Sequence, residues 1–316
     1  MPSEFERIAR FVRHFPIRSR SVLAGPGDDC AVTRPRPGHV LVSKVDQLVE
    51  GVHFGPAFLP EEIGHKALAV ALSDLAAAGA TPRWFLVAIA HPPELDVAFL
   101  ERMAKGMAHL ARRAGIELVG GNFSRASELS VAVTALGEAP PARVLGRSGA
   151  RPSDWILVSG TLGEAALGLR RLASGRPRRI DAAIRAQLRP TPRLELGAIL
   201  GRYASAAIDL SDGLLQDLGH VCARSGVGAE LFATALPVRP AVRREGLELA
   251  LAGGEDYEIL CTAPPQRARA LLAAARRRGI PLARIGVVRA TSGIRLLDER
   301  GEPMPLPVRG GWEHFA

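Results

Sequence analysis

Acidic side chains recur along this chain beside glycine turns and apolar runs, where an isolated charge is costly. Asp28 and Asp29 follow Gly25-Pro26-Gly27, Asp46 lies in an extended stretch, and Asp74 interrupts an apolar segment. Asp209 and Asp212 flank Leu210-Ser211, and Glu255-Asp256 follows Gly253-Gly254. Carboxylates brought together in the ionised state raise one another's pKa by whole units, and divalent cations remove that conflict. Mg²⁺ takes oxygen ligands, usually a few carboxylates together with water and substrate phosphates. In phosphoryl transfer such ions neutralise phosphate oxygens while the reacting groups are held in line. The combination points to metal-assisted phosphate chemistry, although each motif alone has a plainer reading. Asp28-Asp29 beside glycine can be an ordinary turn, and Asp209 can cap the helix that follows it. Gly253-Gly254 can simply turn the chain, and His53 can be a satisfied loop histidine. No Gly-Lys-Ser/Thr follows Gly120-Gly121, so a P-loop is unsupported, and no Gly-x-Ser-x-Gly elbow occurs.

These residues need elements to position them. From Ala67 to Ala78 every residue is apolar except Ser73 and Asp74. Alanine and leucine favour helix, and Gly79 and Pro82 end it. A helix apolar on all faces is a buried one, so Asp74 is expected in the interior, as a satisfied structural acid or as a functional group. The spacing of Phe5, Ile8, Phe11, Val12 and Phe15 predicts an amphipathic helix over 3–15. Strands are expected at 40–43, 84–90, 116–119, 129–136, 155–159, 259–262, 283–288 and 294–297, and 206–213 reads as a strand end entering a helix. Helices are expected at 95–114, 164–174, 265–277, after Asp212 to about Ser225, and briefly within 176–193. Gly120–Arg125 reads as a turn. Alternating helices and β-rich segments define an α/β (α+β) protein. At 316 residues, two domains are the default, and clustered Pro, Arg and Gly between Arg143 and Pro152 suggest where they meet.

Composition narrows the function. Of 41 basic residues only Lys44, Lys66 and Lys105 are lysines, and the arginines are dispersed, so the formal charge of +9 reads as a solvated surface. No nucleic-acid platform accompanies it. No apolar run reaches the length of a membrane span, and Met1–Arg7 lacks the order of a secretion signal. Three distant cysteines, Cys30, Cys222 and Cys261, suggest neither a disulfide framework nor a zinc site, and a reducing cytoplasm is expected.

Read in order, the motifs resemble those of the thiamine-monophosphate kinase family within the aminoimidazole-ribonucleotide-synthetase-like (PurM-like) superfamily. The resemblance rests on 27–31, 46–54, 66–82, Gly120-Gly121, 146–150, 154–163, 188–190, 208–214, 253–257 and the tail Gly311-Trp312-Glu313-His314-Phe315. It implies a two-domain PurM-like fold: residues 1–146 a β-rich sheet domain with helices that carries metal, ATP and dimer contacts, residues 147–316 an α/β domain that completes the site. It implies ATP-dependent phosphorylation of thiamine monophosphate, several Mg²⁺ ions and a homodimer. Asp29, Asp46, Asp74, Asp209 and Asp212 would be Mg²⁺ ligands. Gly121, Asn122, Arg147 and Ser211 would meet ATP, and His53, Glu255 and Trp312 the thiamine, whose flat cationic ring suits an aromatic face and a carboxylate.

Two departures stand out. The family has Gly-Gly-Asp where this chain has Gly120-Gly121-Asn122, and Ser-Thr-Asp-Thr where it has Lys44-Val45-Asp46-Gln47. Val45 offers no ligand, and Lys44 brings a positive charge. Lys44 is thus a candidate substitute for one Mg²⁺, offsetting charge that Asn122 no longer contributes, with drift in a weakened site as the alternative. Two other functions stay open: a divergent member phosphorylating a different acceptor, and a non-catalytic nucleotide- or thiamine-phosphate-binding paralogue.

Overall fold

The computed structural model describes residues 3–308 and 310–312. The chain separates into two units, Met1–Leu75 with Ala80–Pro141, and Ala76–Gly79 with Ala142–Ala316. The expected Glu313, His314 and Phe315 of the tail motif lie outside the described residues.

In the first unit, α1 (Glu4–Val12) opens with a reciprocal cap: the Glu6 N–H donates to Ser3 Oγ and the Ser3 N–H to the Glu6 carboxylate. It ends before Phe15, and Phe5 is exposed rather than packed. A short ribbon of β1 (Val22–Ala24) and β2 (Val32–Thr33) follows. Then come β3 (Val40–Val49), α2 (Pro60–Ala77), β4 (Thr81–His91), α3 (Val97–Ala114), β5 (Glu117–Arg125) and β6 (Ser130–Ala139). The four long strands pair in the order β3-β6-β4-β5, with β4 and β5 parallel and the other pairs antiparallel. Residues opposite one another across paired strands share a face. Asp46, Val133, Val87 and Gly121 stand in one row, and Gln47, Ala132, Ala88 and Asn122 in the next, on the other face. The first face is the core side, since Val133, Val87, Ala135 and Phe85 are buried, whereas Ala88 and Asn122 are exposed.

Helix α2 is buried almost throughout, as its composition demands, but Asp74 keeps a quarter of its side chain exposed, while Lys66 and Ser73 are the polar groups that are fully enclosed. Its crossing with α3 leaves no room for side chains. A Cβ on Gly64 would lie 2.0 Å from the Met103 carbonyl oxygen, and one on Gly106 1.9 Å from that of Glu61.

Gly120–Arg125 is strand, not turn. Two consecutive glycines suggested a turn, yet the chain continues extended in β5 because the glycines permit close strand contact: a Cβ on Gly121 would sit 2.1 Å from the Val87 carbonyl oxygen. Likewise β3 runs ten residues, past Lys44 and Asp46.

The second unit contains β7 (Trp155–Ser159), α4 (Glu164–Leu172), α5 (Ala182–Leu188), α6 (Leu194–Leu200), β8 (Ala206–Asp209), α7 (Leu214–Ser225) and β9 (Gly228–Phe232). It continues with α8 (Pro240–Glu245), α9 (Glu248–Ala252), β10 (Ile259–Ala263), α10 (Pro265–Arg277), β11 (Leu282–Arg289), β12 (Ile294–Leu297) and β13 (Pro303–Met304). The sheet order is β13-β12-β9-β11-β7-β10-β8. Ile156, Val158, Leu214, Leu218, Val221, Leu231 and Leu260 form its core. Strand β9 has no counterpart among the sequence expectations; it is short and buried on both faces, so it lacks an alternating pattern.

Candidate active site

Each unit carries a group of the predicted residues. In the first, β3 and α2 set three charges side by side. Lys44 Nζ lies 3.0 Å from Asp74 Oδ2 and 3.5 Å from Asp46 Oδ1. Strand β3 places Lys44 and Asp46 on one face because they are two residues apart, and α2 delivers Asp74 to them. Burial, and next the Asp74 charge, push the Asp46 carboxyl up to about 7, with Lys44 opposing the rise. Asp46 Oδ2 is buried and accepts no hydrogen bond among the described residues. Crowded oxygen ligands with an unanswered buried oxygen fit a hard cation such as Mg²⁺.

Asp29 stands elsewhere in this unit. It is exposed and, with Asp28, borders a hollow of about 270 Å³ that is also lined by Gly120, Gly121, Asn122 and Thr134. The hollow thus joins Asp29 to Gly121 and Asn122, and Asp46 and Asp74 are not part of its lining. Asn122 projects from the sheet face opposite to Asp46, and β5 and β3 are the two edges of the sheet, roughly 14 Å apart at the usual strand spacing. The expected offset of a lost Asn122 charge by Lys44 therefore fails on distance and direction. Lys44 answers Asp46 and Asp74 on its own face of the sheet.

His53 sits in the loop after β3. Its Nδ1 accepts a hydrogen bond from the Val49 N–H at 3.1 Å, which leaves the proton of the neutral ring on Nε2. The loop is anchored by Lys66, fully buried on α2, whose Nζ donates to the His53 carbonyl at 3.1 Å and lies 5.3 Å from the Phe58 ring centroid.

In the second unit the chain after β8 runs beside the segment before β10. The Glu255 N–H donates to the Ser211 carbonyl at 2.7 Å, the Tyr257 N–H to Leu210 at 2.8 Å, and the Leu210 N–H to Glu258 at 2.8 Å. This ladder brings Asp209, Ser211, Asp212 and Glu255 together. Glu255 and Tyr257 both have positive φ, 68° and 49°, a conformation uncommon away from glycine and concentrated at functional sites. The Glu255 carboxylate accepts from Gln187 Nε2. Trp312 joins the group through its backbone: its N–H donates to the Asp212 carbonyl at 3.0 Å, and its carbonyl accepts from Gln216 Nε2 at 2.9 Å. Its side chain is half exposed. Arg147 lies apart, since its carbonyl accepts from Ser225 Oγ at the far end of α7 from Ser211.

The sequence reading missed Asp217. One of its oxygens accepts the N–H groups of Ser211, Asp212 and Gly213, at 3.0, 3.1 and 3.2 Å. Asp217, in the first turn of α7, thus ties down the segment that leads into the helix, and neither it nor Asp209 is the N-cap residue, which is Gly213. The signal was an acid four residues after Gly213, reaching back to the helix start. Also missed was the buried Glu258, which pairs with Arg193 and accepts from Ser159 Oγ beneath the same segment. Among the described residues, Asp212, Asp217 and His220 are the one group of three such side chains whose ligand atoms lie within 4.8 Å of one another.

Comparison with known proteins agrees with this architecture. The AIR synthase related protein N-terminal domain matches residues 27–139, and the corresponding C-terminal domain matches residues 151–299. The chain belongs to the AIR synthase related family of two-domain α/β proteins. It is 39% identical over 322 residues to thiamine-monophosphate kinase of Escherichia coli (strain K12), covering 99% of this chain and 98% of that one. The crystal structure of thiamine-monophosphate kinase from Stenotrophomonas maltophilia K279a superposes with a TM-score of 0.86 at 39% identity, over 96% of this chain and 98% of that one. A structure of AaThiL complexed with AMPPCP and TMP gives 0.79 at 32% identity, over 99% and 97%. Within the family, the chain is a member of the thiamine-monophosphate kinases.

Proposed function

We propose that the chain transfers the γ-phosphoryl group of ATP to the phosphate of thiamine monophosphate, giving thiamine diphosphate and ADP. The observation that carries this reading is kinship along nearly the entire length, through both family domains, with kinases of that specificity. An oxygen of the acceptor phosphate attacks the γ-phosphorus in line. The new P–O bond forms as the bond to the bridging oxygen breaks, and ADP leaves with that electron pair. The acceptor is already anionic, so no strong general base is needed, and the protein contributes position and charge.

We assign Asp29, Asp46 and Asp74 of the first unit and Asp209 and Asp212 of the second to Mg²⁺, which when bound neutralises the phosphate oxygens. Gly121, Asn122, Arg147 and Ser211 are assigned to ATP. His53, held with its Nε2–H outward from the Val49 contact, is assigned to thiamine together with Glu255 and Trp312. The carboxylate of Glu255, fixed by Gln187, suits a cationic ring, and the half-exposed Trp312 offers an aromatic face. We also assign the chain to the cytoplasm, in keeping with three free thiols, and to a homodimer formed through the first unit, whose sheet has an open face carrying the exposed Val45. No described helix is long and apolar enough to cross a membrane.

The test is ADP release by purified protein with ATP, Mg²⁺ and thiamine monophosphate, beside other phosphate acceptors. Release that requires thiamine monophosphate is the expected result. Release with another acceptor alone would identify a divergent kinase, and calorimetric binding without release a non-catalytic paralogue.

A further inference from the structure

We infer that the Lys44 ammonium is a resident cation of the first unit's acidic site, standing where an oxygen side chain would admit one more divalent ion. The inference rests on the reading of Asp46 and Asp74 as a cation site. Its own ground is the geometry of one amine between two acids. Nζ reaches Asp74 Oδ2 at 3.0 Å and Asp46 Oδ1 at 3.5 Å. These are ammonium–carboxylate distances; Mg²⁺ would draw its oxygens to about 2.1 Å. The contact is built by regular elements, since Lys44 and Asp46 are alternate residues of β3 and Asp74 is carried on the buried helix α2. The side chains of this trio are only a quarter to a third exposed, so solvent screens the three charges incompletely. Between these two acids, an ammonium is fixed in number and cannot be chelated away. The ion it displaces would have been exchangeable.

The role is that of a positioning residue: Lys44 holds Asp46 and Asp74 at a set separation and lowers the number of divalent ions the chain takes up. It acts without Asn122, which lies on the other face and at the other edge of the sheet.

The experiment counts bound Mn²⁺ by electron paramagnetic resonance, with ADP present, in the wild type and in Lys44→Ser, Lys44→Met and Lys44→Arg, and records thermal midpoints in EDTA and in Mn²⁺. Lys44→Ser is expected to bind one Mn²⁺ more per chain than the wild type. Lys44→Met, which removes the charge and keeps the stem but adds no oxygen, should bind the Mn²⁺ that the wild type already takes up roughly tenfold more tightly. Both should have lower midpoints in EDTA and gain more from Mn²⁺ than the wild type does, whereas Lys44→Arg should behave as the wild type. Equal, non-zero counts in the wild type and Lys44→Ser, with equal responses to Mn²⁺, would overturn the inference and leave the metal reading standing. No Mn²⁺ bound by any of the proteins would overturn both. A variant that unfolds in EDTA and is not recovered by Mn²⁺ would count against the inference, because its acids would then lack a cation site.

Discussion

The two units hold their acids by different physical means. In the first, Asp46 and Asp74 face each other across a lysine, and charge answers charge. In the second, Asp217 is satisfied by three backbone N–H groups, and the neighbouring loop is held by a ladder of main-chain hydrogen bonds. A partly exposed ion pair contributes little to stability, while a buried acceptor of several amide groups is expensive to remove. The first site is therefore tunable by one side chain, whereas the second is tied to the integrity of its unit.

The largest effect should come from the acids assigned to metal. Asp74→Asn and Asp209→Asn, each close to isosteric, should lower kcat by roughly 10²–10³-fold, with midpoints near that of the wild type; a steady-state ADP assay and a thermal scan check both. Stability should then separate the units. Asp217→Ala should cost about 1–3 kcal/mol in urea unfolding, because three amide groups lose their acceptor. Lys44→Met should cost about 1 kcal/mol or less, and the reverse order would break the comparison.

The pH response sharpens it further. Burial pushes the Asp217 carboxyl from its ordinary 3.8 up to about 7. The folded chain thus keeps a proton that the unfolded chain releases, so this group's contribution is full below about pH 4 and declines as pH rises to about 7. Asp217→Asn should remove that slope, and its metal-free midpoint should fall less than that of the wild type between about pH 5 and pH 8. The smallest effect is a null one. Lys44→Ser and Asn122→Asp should change Mg²⁺ affinity independently, adding to within about 0.5 kcal/mol, as expected for sites this far apart. Strong coupling between them would restore the linkage that the sheet geometry denies.

Much of this was legible in the chain because the strongest patterns coincide with the most buried elements. The run from Ala67 to Ala78 reads as a buried helix and is one. Asp74 was placed on that helix but taken as interior, because composition says nothing of which flank meets the polar edge of β3. Gly120-Gly121 was read as a turn since glycine's freedom is a local property, while its use here, letting β4 and β5 approach, is a tertiary one. The sequence singled out Asp28-Asp29, Asp46, Asp74 and Gly121 as chemistry-bearing, yet could not divide them between a hollow on one face and a charge trio on the other. That division depends on strand register, which a single residue's shift would invert. Asp217 escaped notice for a similar reason: an acid that reaches back to the segment before its helix looks like any acid in a first turn.

The start of α7 has a consequence of its own. Exposed amide hydrogens at a helix beginning ordinarily form a cradle for anions. Here the groups of Ser211, Asp212 and Gly213 already converge on an oxygen supplied by the helix itself. Those three amides, which lead into the helix, are closed to an anion by a tethered acid, and the amides of Leu214, Leu215 and Gln216 in its first turn are not among them.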